Sequence, residues 1–371
     1  MVRDMSSNAD QILPEKFQVN VDTVCFSVTG VQMDVDEVTK VLVSTPGGAQ
    51  QQITNRKSVA GKYGRHALHY RVKSRSPHDH ELFVEGSPFA NQYGQNVWSS
   101  GSVKLACTST VRRLVRELNI DAASDKIAAW SEGNIELHRV DLAVNFRLDS
   151  SQRVDEALTV LKHILVAKRR QCSTHRRYAA YRPKSGKQYQ IAVYDKGDQL
   201  SLKSSGDHAG DLFRNLSKEC EGILRIEVRL RRAELHKLGL PLARDWQLDT
   251  SREVFRKYFA RLPLHDVTFG PLSAADFEGI DERRRPAMAL HKLGVDWRLI
   301  YCARTRARHK AYFKGRGIDL DCPNLPGPAI SLAELLSKPD AIAKTPRWLI
   351  EAGMAPRRRR KRRQASSNHT S

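Results

Sequence analysis

Residues 188–200, QYQIAVYDKGDQL, contain the pattern on which the interpretation of the whole chain depends. Apolar side chains at positions 189, 191 and 193 alternate with positions 190, 192 and 194, which predicts a β-strand that ends in a turn at Gly197. Tyr194 then lies near the strand end, opposite the branched residues, with Lys196 on the same side. The pair suggests a nucleophile and a phosphate-holding lysine. The alternative, a rim tyrosine beside a solvated lysine, is favoured by this stretch alone.

The composition indicates a globular protein that binds a polyanion. The 371 residues allow one large domain or two ordinary ones, and the net charge of +21 indicates nucleic acid or an acidic membrane surface as partner. No apolar run approaches the length of a membrane span, and MVRDMSSNADQ lacks a secretory core, so we expect a soluble protein and favour nucleic acid. Six scattered cysteines without a CxxC pair indicate reduced thiols.

The order of elements predicts an α+β fold with an antiparallel or mixed central sheet and flanking helices, because strands are interrupted by helices without strict βαβ alternation. The predicted strands cover residues 21–28, 63–72, 81–85, 134–148, 177–183, 188–196 and 222–230. The predicted helices cover residues 36–43, 103–118, 154–165, 211–218 and 257–262, and TPGGAQQQ is a predicted loop.

The chain divides into five predicted regions. They are a disordered arm at 1–19, a sheet domain at 20–240, a helical connector at 241–280, a smaller basic helical domain at 281–356 and a disordered cationic tail at 357–371. In the basic domain, Thr345 is a predicted N-cap, Pro346 a first-turn proline and Gly353 a helix stop. The tail carries RRRRKRR, which cannot pack and should contact phosphates.

Three of the predicted strands share one design, an apolar face opposite a polar face. If they are neighbours, the polar face would display Asp141, Glu227, Tyr194, Lys196 and several arginines. The carboxylates can bind a hard divalent cation through oxygen, and a tyrosine can attack a phosphate that this ion polarises. The alternative is a solvated face with Arg–Asp and Arg–Glu ion pairs. Alternation alone favours that alternative, because ion pairs are commoner than metal sites.

Several motifs together resemble the replication initiators of filamentous bacteriophages, the gene II/gene X protein family. They are VEGSP with GQNVW at 84–98, HRVDLAVNF at 138–146, AVYDKGDQL at 192–200, and GILRIEVRL with LGLPL at 222–242. HKLGVDWRLI and WLIEAGMAP resemble the second region of this family, so the resemblance covers most of residues 20–356. These initiators are rolling-circle nickases related to the HUH-type initiators.

The resemblance implies a metal-dependent enzyme that nicks the double-stranded origin and religates the displaced strand during rolling-circle DNA replication. Tyr194 would form a 5′-phosphotyrosine, and Lys196 would hold the scissile phosphate or lower the pKa of the phenol. Asp141, Glu227 and, in reserve, Glu85 would bind Mg²⁺ or Mn²⁺. The implied DNA-binding residues are Arg139, Arg225, Arg229, Arg357, Arg358, Arg359, Arg360, Lys361, Arg362 and Arg363.

The same resemblance implies the partners and the location. The partners are double- and single-stranded phage DNA at the origin, with the host helicase and polymerase, in the cytoplasm of the bacterial host and without a membrane. Two other hypotheses stay open. One is a non-catalytic DNA-binding regulator or single-stranded-DNA-binding protein on the same fold, and the other is a plasmid or transposon relative with the same chemistry.

The histidine pattern departs from that of HUH initiators, which have two histidines flanking a bulky apolar residue. The nearest string, at 78–80, has an aspartate in the middle and is interpreted as a hairpin tip. His138 has the parity of the apolar face and is interpreted as a residue at the edge of the core. Tyr178 and Tyr181 imitate the paired tyrosines of some rolling-circle enzymes and are interpreted as sheet or DNA-packing residues.

Overall fold

An antiparallel sheet forms the centre of the computed structural model, which describes residues 12–33, 40–44, 50–54, 56–76, 79–167, 177–181, 188–204, 210–262, 264, 274–293, 300–316, 318, 320, 332–338 and 340–356. Its strands within these ranges are β1 (Asn20–Val31), β2 (Lys40–Ser44), β3 (Gln50–Thr54), β4 (Lys57–Val59), β5 (Leu68–Ser76), β6 (Asp79–Gly86), β7 (Glu136–Arg147), β8 (Tyr178–Tyr181), β9 (Tyr189–Asp195) and β10 (Ile223–Arg231). The order across the sheet is β2-β3-β5-β6-β1-β7-β10-β9-β8, and β4 pairs with β5. Each pairing is antiparallel, so the predicted α+β class is confirmed.

Helices connect the strands and cover the sheet. Those in the described ranges are α1 (Pro88–Tyr93), α2 (Val103–Glu117), α3 (Ser124–Glu132), α4 (Ser151–Ala167), α5 (Lys196–Ser204), α6 (Asp211–Glu219), α7 (Arg232–Lys237), α8 (Leu248–Phe259), α9 (Arg285–Lys292), α10 (Ala303–Gly315), α11 (Leu332–Ser337) and α12 (Arg347–Glu351). The helices predicted at 103–118, 154–165 and 211–218 are confirmed by α2, α4 and α6. Among the helices described, none combines the length and the apolar character that a membrane crossing requires.

Apolar side chains on one face of the central strands build the main core. Because alternate residues of a strand point to opposite faces, β7, β9 and β10 each contribute every second residue to it. The buried cluster includes Val140, Leu142, Val144, Ile191, Val193, Ile226, Val228 and, from the covering helices α4 and α8, Leu158, Phe255 and Phe259. Burying one such side chain is worth about 1.5–3 kcal/mol, so the apolar face suffices to hold these strands in register.

The register of the central strands brings polar residues together on the opposite face. Asp141 in β7 lies opposite Arg229 in β10, and Arg225 in β10 lies opposite Tyr194 in β9. Glu227 lies between the two arginines on the same face, since residues two apart on a strand share a face. The constellation expected from alternation is therefore formed by neighbouring strands.

The N-terminal segment is more ordered than predicted. Residues 12–19 are not a loose arm, because Ile12, Leu13 and Phe17 are buried in the main core. Arg256 in α8 donates a hydrogen bond to the Leu13 carbonyl at 3.3 Å. The prediction is wrong for this part, and residues 1–11 lie outside the described ranges.

Local predictions between residues 36 and 80 also need correction. The helix predicted at 36–43 is wrong from residue 40 onward, where Lys40–Ser44 forms β2, while 34–39 lie outside the described residues. The valines of KVLVS favour a strand over a short helix. The last three residues of the predicted loop TPGGAQQQ, at 50–52, belong to the strand Gln50–Thr54. The predicted pairing is confirmed by the β5–β6 hairpin, but residues 63–67 precede β5 and are not in a strand, and residues 79 and 80 belong to β6 and not to the hairpin tip.

The strand that carries Tyr194 ends one residue earlier than predicted. β9 ends at Asp195, and α5 begins at Lys196, so Gly197 lies inside a helix and not in a turn. The side chain of Asp195 accepts a hydrogen bond from the backbone N–H of Asp198 at 3.0 Å. This contact resembles an N-cap and explains the switch from strand to helix.

The C-terminal region contributes to three hydrophobic clusters. Leu332, Leu335 and Leu336 belong to the main core, and Leu349 and Met354 pack with a second cluster that includes Trp98. Ile280, Ala287, Met288, Phe313 and Leu320 form a third, separate cluster. The predicted domain boundaries stay a prediction.

The last described helix differs from the prediction at its start. α12 begins at Arg347 with Pro346 as N-cap, so Thr345 is not the cap, and its hydroxyl accepts a hydrogen bond from Gln18 at 2.8 Å instead. Gly353, with φ of 65°, follows the helix end and confirms the predicted stop. The cationic tail, including Arg357 to Arg363, lies outside the described residues.

Candidate metal and tyrosine site

Three buried carboxylates meet on the polar face of the central strands. Asp22 in β1, Asp141 in β7 and Glu227 in β10 each place a carboxylate oxygen within 4.8 Å of the other two. Their exposed fractions are only 7%, 0% and 1%. Oxygen ligands of this kind suit Mg²⁺ and Mn²⁺. The structure therefore groups two predicted metal ligands with a third carboxylate.

Asp22 was missed by the sequence analysis. A signal was present, because a carboxylate within the predicted strand 21–28 is unusual in a segment that is otherwise rich in apolar and small residues. Its partner strands could not be inferred from that segment alone. In the structure β1 pairs with β7, and the register shifts between Val21 and Val24. This β-bulge falls at Asp22, and bulges redirect side chains.

Each carboxylate has an arginine partner. Arg139 Nε and Nη2 donate to Asp141 at 2.8 and 2.5 Å. Arg229 Nε donates to Glu227 Oε1 at 2.7 Å. The side chains of Arg139 and Arg229 are 33% and 28% exposed, so both retain a surface that DNA can reach.

Arg225 is buried and plays a different part from the one predicted. Its side chain is 0% exposed, and Nη2 donates to Asp22 Oδ1 at 2.9 Å. Nη1 donates to Asn145 Oδ1 at 3.1 Å. The guanidinium is enclosed by these groups and exposes no surface to a phosphate, so the structure does not support the predicted DNA contact of Arg225. It holds Asp22 in place.

The two strand carboxylates have opposite electrostatic environments. Burial, followed by the negative charge of Glu227, raises the pKa of Asp141 to about 8, although Arg139 opposes this shift. Burial also acts to raise the pKa of Glu227, but the positive charges of Arg229 and Arg225 outweigh it and lower this pKa. Without a cation the site therefore favours the ionised form of Glu227 and disfavours the ionised form of Asp141.

Tyr194 lies directly beside the carboxylates. Its hydroxyl donates a hydrogen bond to Glu227 Oε2 at 3.0 Å. Burial and the charge of Glu227 hold the pKa of the phenol well above its ordinary value. The ring stacks on Tyr178 of the neighbouring strand, with centroids 6.2 Å apart, and the Tyr178 hydroxyl accepts a hydrogen bond from Gln190 at 3.0 Å.

Lys196 is close to Tyr194 but is enclosed by amides. Its Nζ lies 5.8 Å from the centre of the Tyr194 ring and donates to Asn96 Oδ1 at 3.0 Å and Gln199 Oε1 at 2.7 Å. Asn96 Nδ2 in turn donates to Asp22 Oδ1 at 2.9 Å. The expected lowering of the phenol pKa is not found in the cation-free site, because burial and Glu227 raise it. Lys196 therefore orders the loop that holds Asp22.

The remaining candidate ligands lie outside this group. Glu85 is half exposed and faces Arg139, with Oε1 3.5 Å from Nη1. His138 lies on the polar face and not on the apolar face, because a register shift near Cys25 and Phe26 changes the parity of β7. Its Nε2 is 2.9 Å from Ser27 Oγ. His138 forms a second group, with Glu81 and Glu136, that could hold a metal.

Comparison with known proteins indicates the family to which the chain belongs. A family model for the N-terminal region of the replication-associated protein of the phage gene II family matches residues 24–249, which include Asp141, Tyr194 and Glu227. The replication-associated protein of that family from Enterobacteria phage I2-2 is 23% identical over 246 residues, which cover 64% of this chain and 69% of that protein. No solved structure matches the chain significantly.

These matches define a phage replication initiator. More specifically, the chain belongs to the gene II family of phage replication-associated proteins, since the family model spans more than half of it. The resemblance inferred from the motifs of the sequence is therefore confirmed.

Proposed function

We propose that this initiator nicks one strand of its phage origin through a covalent link between Tyr194 and DNA, and later rejoins the displaced strand. The observation that carries the proposal is the hydrogen bond of 3.0 Å from the Tyr194 hydroxyl to Glu227, one of three clustered carboxylates. A phenol beside a candidate cation site suits phosphodiester transfer to tyrosine, because the cation can polarise the phosphate while the phenol oxygen attacks.

A divalent cation fits the donor set. Asp22, Asp141 and Glu227 are buried and place carboxylate oxygens within 4.8 Å of one another, and the pKa of Asp141 is raised to about 8, chiefly by burial and next by Glu227. Asp22, Asp141 and Glu227 would hold Mg²⁺ or Mn²⁺ through oxygen. When bound, the ion would supply the charge that favours the phenolate and polarises the phosphate.

The chemistry exchanges one phosphodiester for another. Tyr194 Oη attacks phosphorus, the bond from phosphorus to the 3′ oxygen breaks, and the products are a 5′-phosphotyrosine and a free 3′-hydroxyl. Glu227 Oε2 accepts the hydrogen bond of the phenol and so orients the attacking oxygen, while the phenol proton passes to solvent and solvent protonates the leaving oxygen. The bonds formed and broken are similar, so the same groups can run the step in reverse and rejoin the strand.

The other side chains position these groups. Arg225 and Asn96 fix Asp22, and Lys196 fixes Asn96, so all three act through a carboxylate and not on DNA. The half-buried Arg139 and Arg229 are placed to contact phosphate oxygens at the rim. Tyr194 is only 5% exposed, so a phosphate reaches it only by entering the site, which favours an unpaired and flexible strand at the origin.

The experiment is a nicking assay on supercoiled replicative-form DNA of the phage with Mg²⁺. We expect open circles in which the protein is attached to one 5′ end, and peptide mapping should find the link on Tyr194. DNA binding without open circles, at any divalent cation concentration, would favour the alternative of a non-catalytic DNA-binding regulator. Open circles with the link on another tyrosine would keep the reaction and remove Tyr194 from its role.

A further inference from the structure

One aromatic side chain stands out on the surface of the described chain. Tyr63 is 47% exposed and is the only aromatic residue among the large hydrophobic side chains that are exposed in the described ranges. It lies in the left-handed region with φ of 61°, and His66 nearby has φ of 53°. Such conformations are unfavourable for residues with a side chain, and they persist where the surrounding structure enforces them.

The loop that carries Tyr63 is held at both ends. Asn91 Nδ2 in α1 donates to the His66 carbonyl at 2.9 Å and approaches the Val59 carbonyl at 3.4 Å. Arg113 Nη2 in α2 donates to the Ala60 carbonyl at 3.0 Å. The exposed ring is therefore presented by a fixed loop, and little conformational freedom is lost when a ligand binds it.

The Tyr63 ring packs closely against Gly94 and Phe213. A Cβ atom added to Gly94 would lie 2.6 Å from Tyr63 Cδ2, so only glycine fits beneath the ring. Phe213 of α6 meets Tyr63 edge to face, with centroids 5.9 Å apart and an interplanar angle of 88°. The two rings form an aromatic corner that is open to solvent on the Tyr63 side.

Cations border this corner. Lys62 Nζ lies 4.9 Å from the centre of the Tyr63 ring, and Arg65 Cζ lies 4.0 Å from that of Phe213. None of the described residues that line the adjoining cleft carries a carboxylate. These residues are Arg65, His66, Gly94, Gln95, Leu200, Phe213 and Leu216. Aromatic rings flanked by cations are the surface on which an unpaired base stacks while its phosphates are neutralised.

This surface adjoins the candidate nicking site. Gly94 and Asn96 are two residues apart, at most about 7 Å of backbone, and Asn96 is the residue that binds Asp22 and Lys196. Leu200 in the cleft belongs to α5, the helix that begins at Lys196. A strand that enters the site can therefore continue over the aromatic corner.

We propose that Tyr63 and Phe213, with Lys62 and Arg65, form a stacking site for an unpaired base of single-stranded DNA next to the scissile phosphate. The placement of this stacking site next to a scissile phosphate rests on the proposed function, but the binding of single-stranded DNA does not require cleavage. A protein partner is disfavoured because the cleft is cationic and the corner is small. A duplex is disfavoured because its bases are already stacked.

The test measures binding of a fluorescent oligothymidylate and of a random-sequence duplex to the full chain in EDTA, where no strand is cut. Tyr63→Ala should weaken binding to the single strand roughly 5- to 150-fold and leave duplex binding within about 2-fold. Tyr63→Phe keeps the ring and should bind as the unchanged protein does. Phe213→Ala should also selectively weaken single-strand binding, and Leu105→Ala, a truncation of another exposed side chain, should change neither.

Three results would overturn the proposal. The first is that Tyr63→Ala binds the single strand as tightly as the unchanged protein does. The second is that Tyr63→Ala loses equal affinity for single strand and duplex, and the third is that Tyr63→Phe binds the single strand as weakly as Tyr63→Ala. Circular dichroism of each variant checks the fold, which should hold because Tyr63 is exposed. Failure of this test leaves the nicking assay unaffected, and failure of the nicking assay leaves the binding measured here unaffected, so the two proposals are tested separately.

Discussion

Two groups of possible metal ligands lie on the same face of one sheet, and they differ in burial. Asp22, Asp141 and Glu227 are buried, whereas the second group, Glu81, Glu136 and His138, is only partly buried. In both groups the ligand atoms lie within 4.8 Å of one another. Distance alone therefore does not distinguish them.

The difference lies in how the charges are neutralised. In the second group, Glu136 pairs with the exposed Arg232, and His138 contacts the Ser27 hydroxyl and stacks on Phe83 at 5.4 Å. Burial lowers the pKa of His138, so it is neutral near pH 7. In the buried group, the pKa of Asp141 is raised to about 8 by burial and by Glu227. Burial therefore disfavours the ionised form of Asp141, and a bound cation would favour that form.

The largest expected effect concerns Tyr194. Tyr194→Phe removes the attacking oxygen and retains the ring, so nicking of supercoiled phage DNA should fall at least about 10⁴-fold while DNA affinity is retained. Tyr178→Phe is the matched control, because its ring stacks on that of Tyr194. We expect that control to nick within a few-fold of the unchanged protein. The assignment is contradicted if the two variants behave in the opposite way.

The second prediction concerns cation affinity of the buried group. Asp22→Asn, Asp141→Asn and Glu227→Gln each remove an anionic oxygen, so the Mg²⁺ or Mn²⁺ concentration for half-maximal nicking should rise roughly 10- to 100-fold or more. Titration of nicking against Mn²⁺ measures this shift. If all three variants keep the original cation dependence, these carboxylates serve only as partners of the arginines.

The third prediction separates stability from function at Asp141. Because its folded-state pKa of about 8 exceeds the ordinary 3.8, the folded chain binds a proton that the unfolded chain lacks between about pH 4 and 8. Stability of the cation-free protein should therefore fall as the pH rises through this window, with a slope of up to about 1.4 kcal/mol per pH unit from this group.

Asp141→Asn cannot ionise and should lose that part of the pH dependence. In EDTA, the difference between the melting temperatures at pH 5 and pH 8 should be smaller for the variant than for the unchanged protein. At pH 8 the variant should be more stable than the unchanged protein. Arg139, which loses its carboxyl partner, is 33% exposed and can be hydrated instead. Parallel pH profiles for both proteins would show that Asp141 is ionised in the fold.

The sequence was sufficient for the parts of the site that lie on regular strands. Period-two alternation placed Asp141, Glu227 and Tyr194 on one face, and the antiparallel register brings them together. Alternation gave the wrong face or missed the residue where a register shift interrupts the regular strand. The register shifts in the β1–β7 pairing redirect Asp22 and reverse the expected face of His138.

Burial was the other property that the sequence did not provide. Arg225 and Arg229 have the same parity in β10, yet one is enclosed and the other is partly exposed. The reason is that the loop at residues 95–98 covers only part of the strand, and its Val97 carbonyl accepts hydrogen bonds from Arg225 and Asn145. Whether a loop covers a strand residue in the folded protein cannot be predicted from the alternation of apolar and polar residues in that strand.

The smallest expected effect belongs to the second group of ligands. Glu136 is partly exposed and paired with Arg232, and exposed ion pairs of this type contribute about 0–1 kcal/mol. Glu81→Gln and Glu136→Gln should therefore change the cation dependence of nicking less than about 2-fold and leave the melting temperature nearly unchanged. The measurement is the same Mn²⁺ titration that is used for Asp141→Asn, with all variants side by side. A 10-fold shift for either variant would mean that a partly exposed group also binds the cation that nicking requires, and that burial is not what separates the two groups.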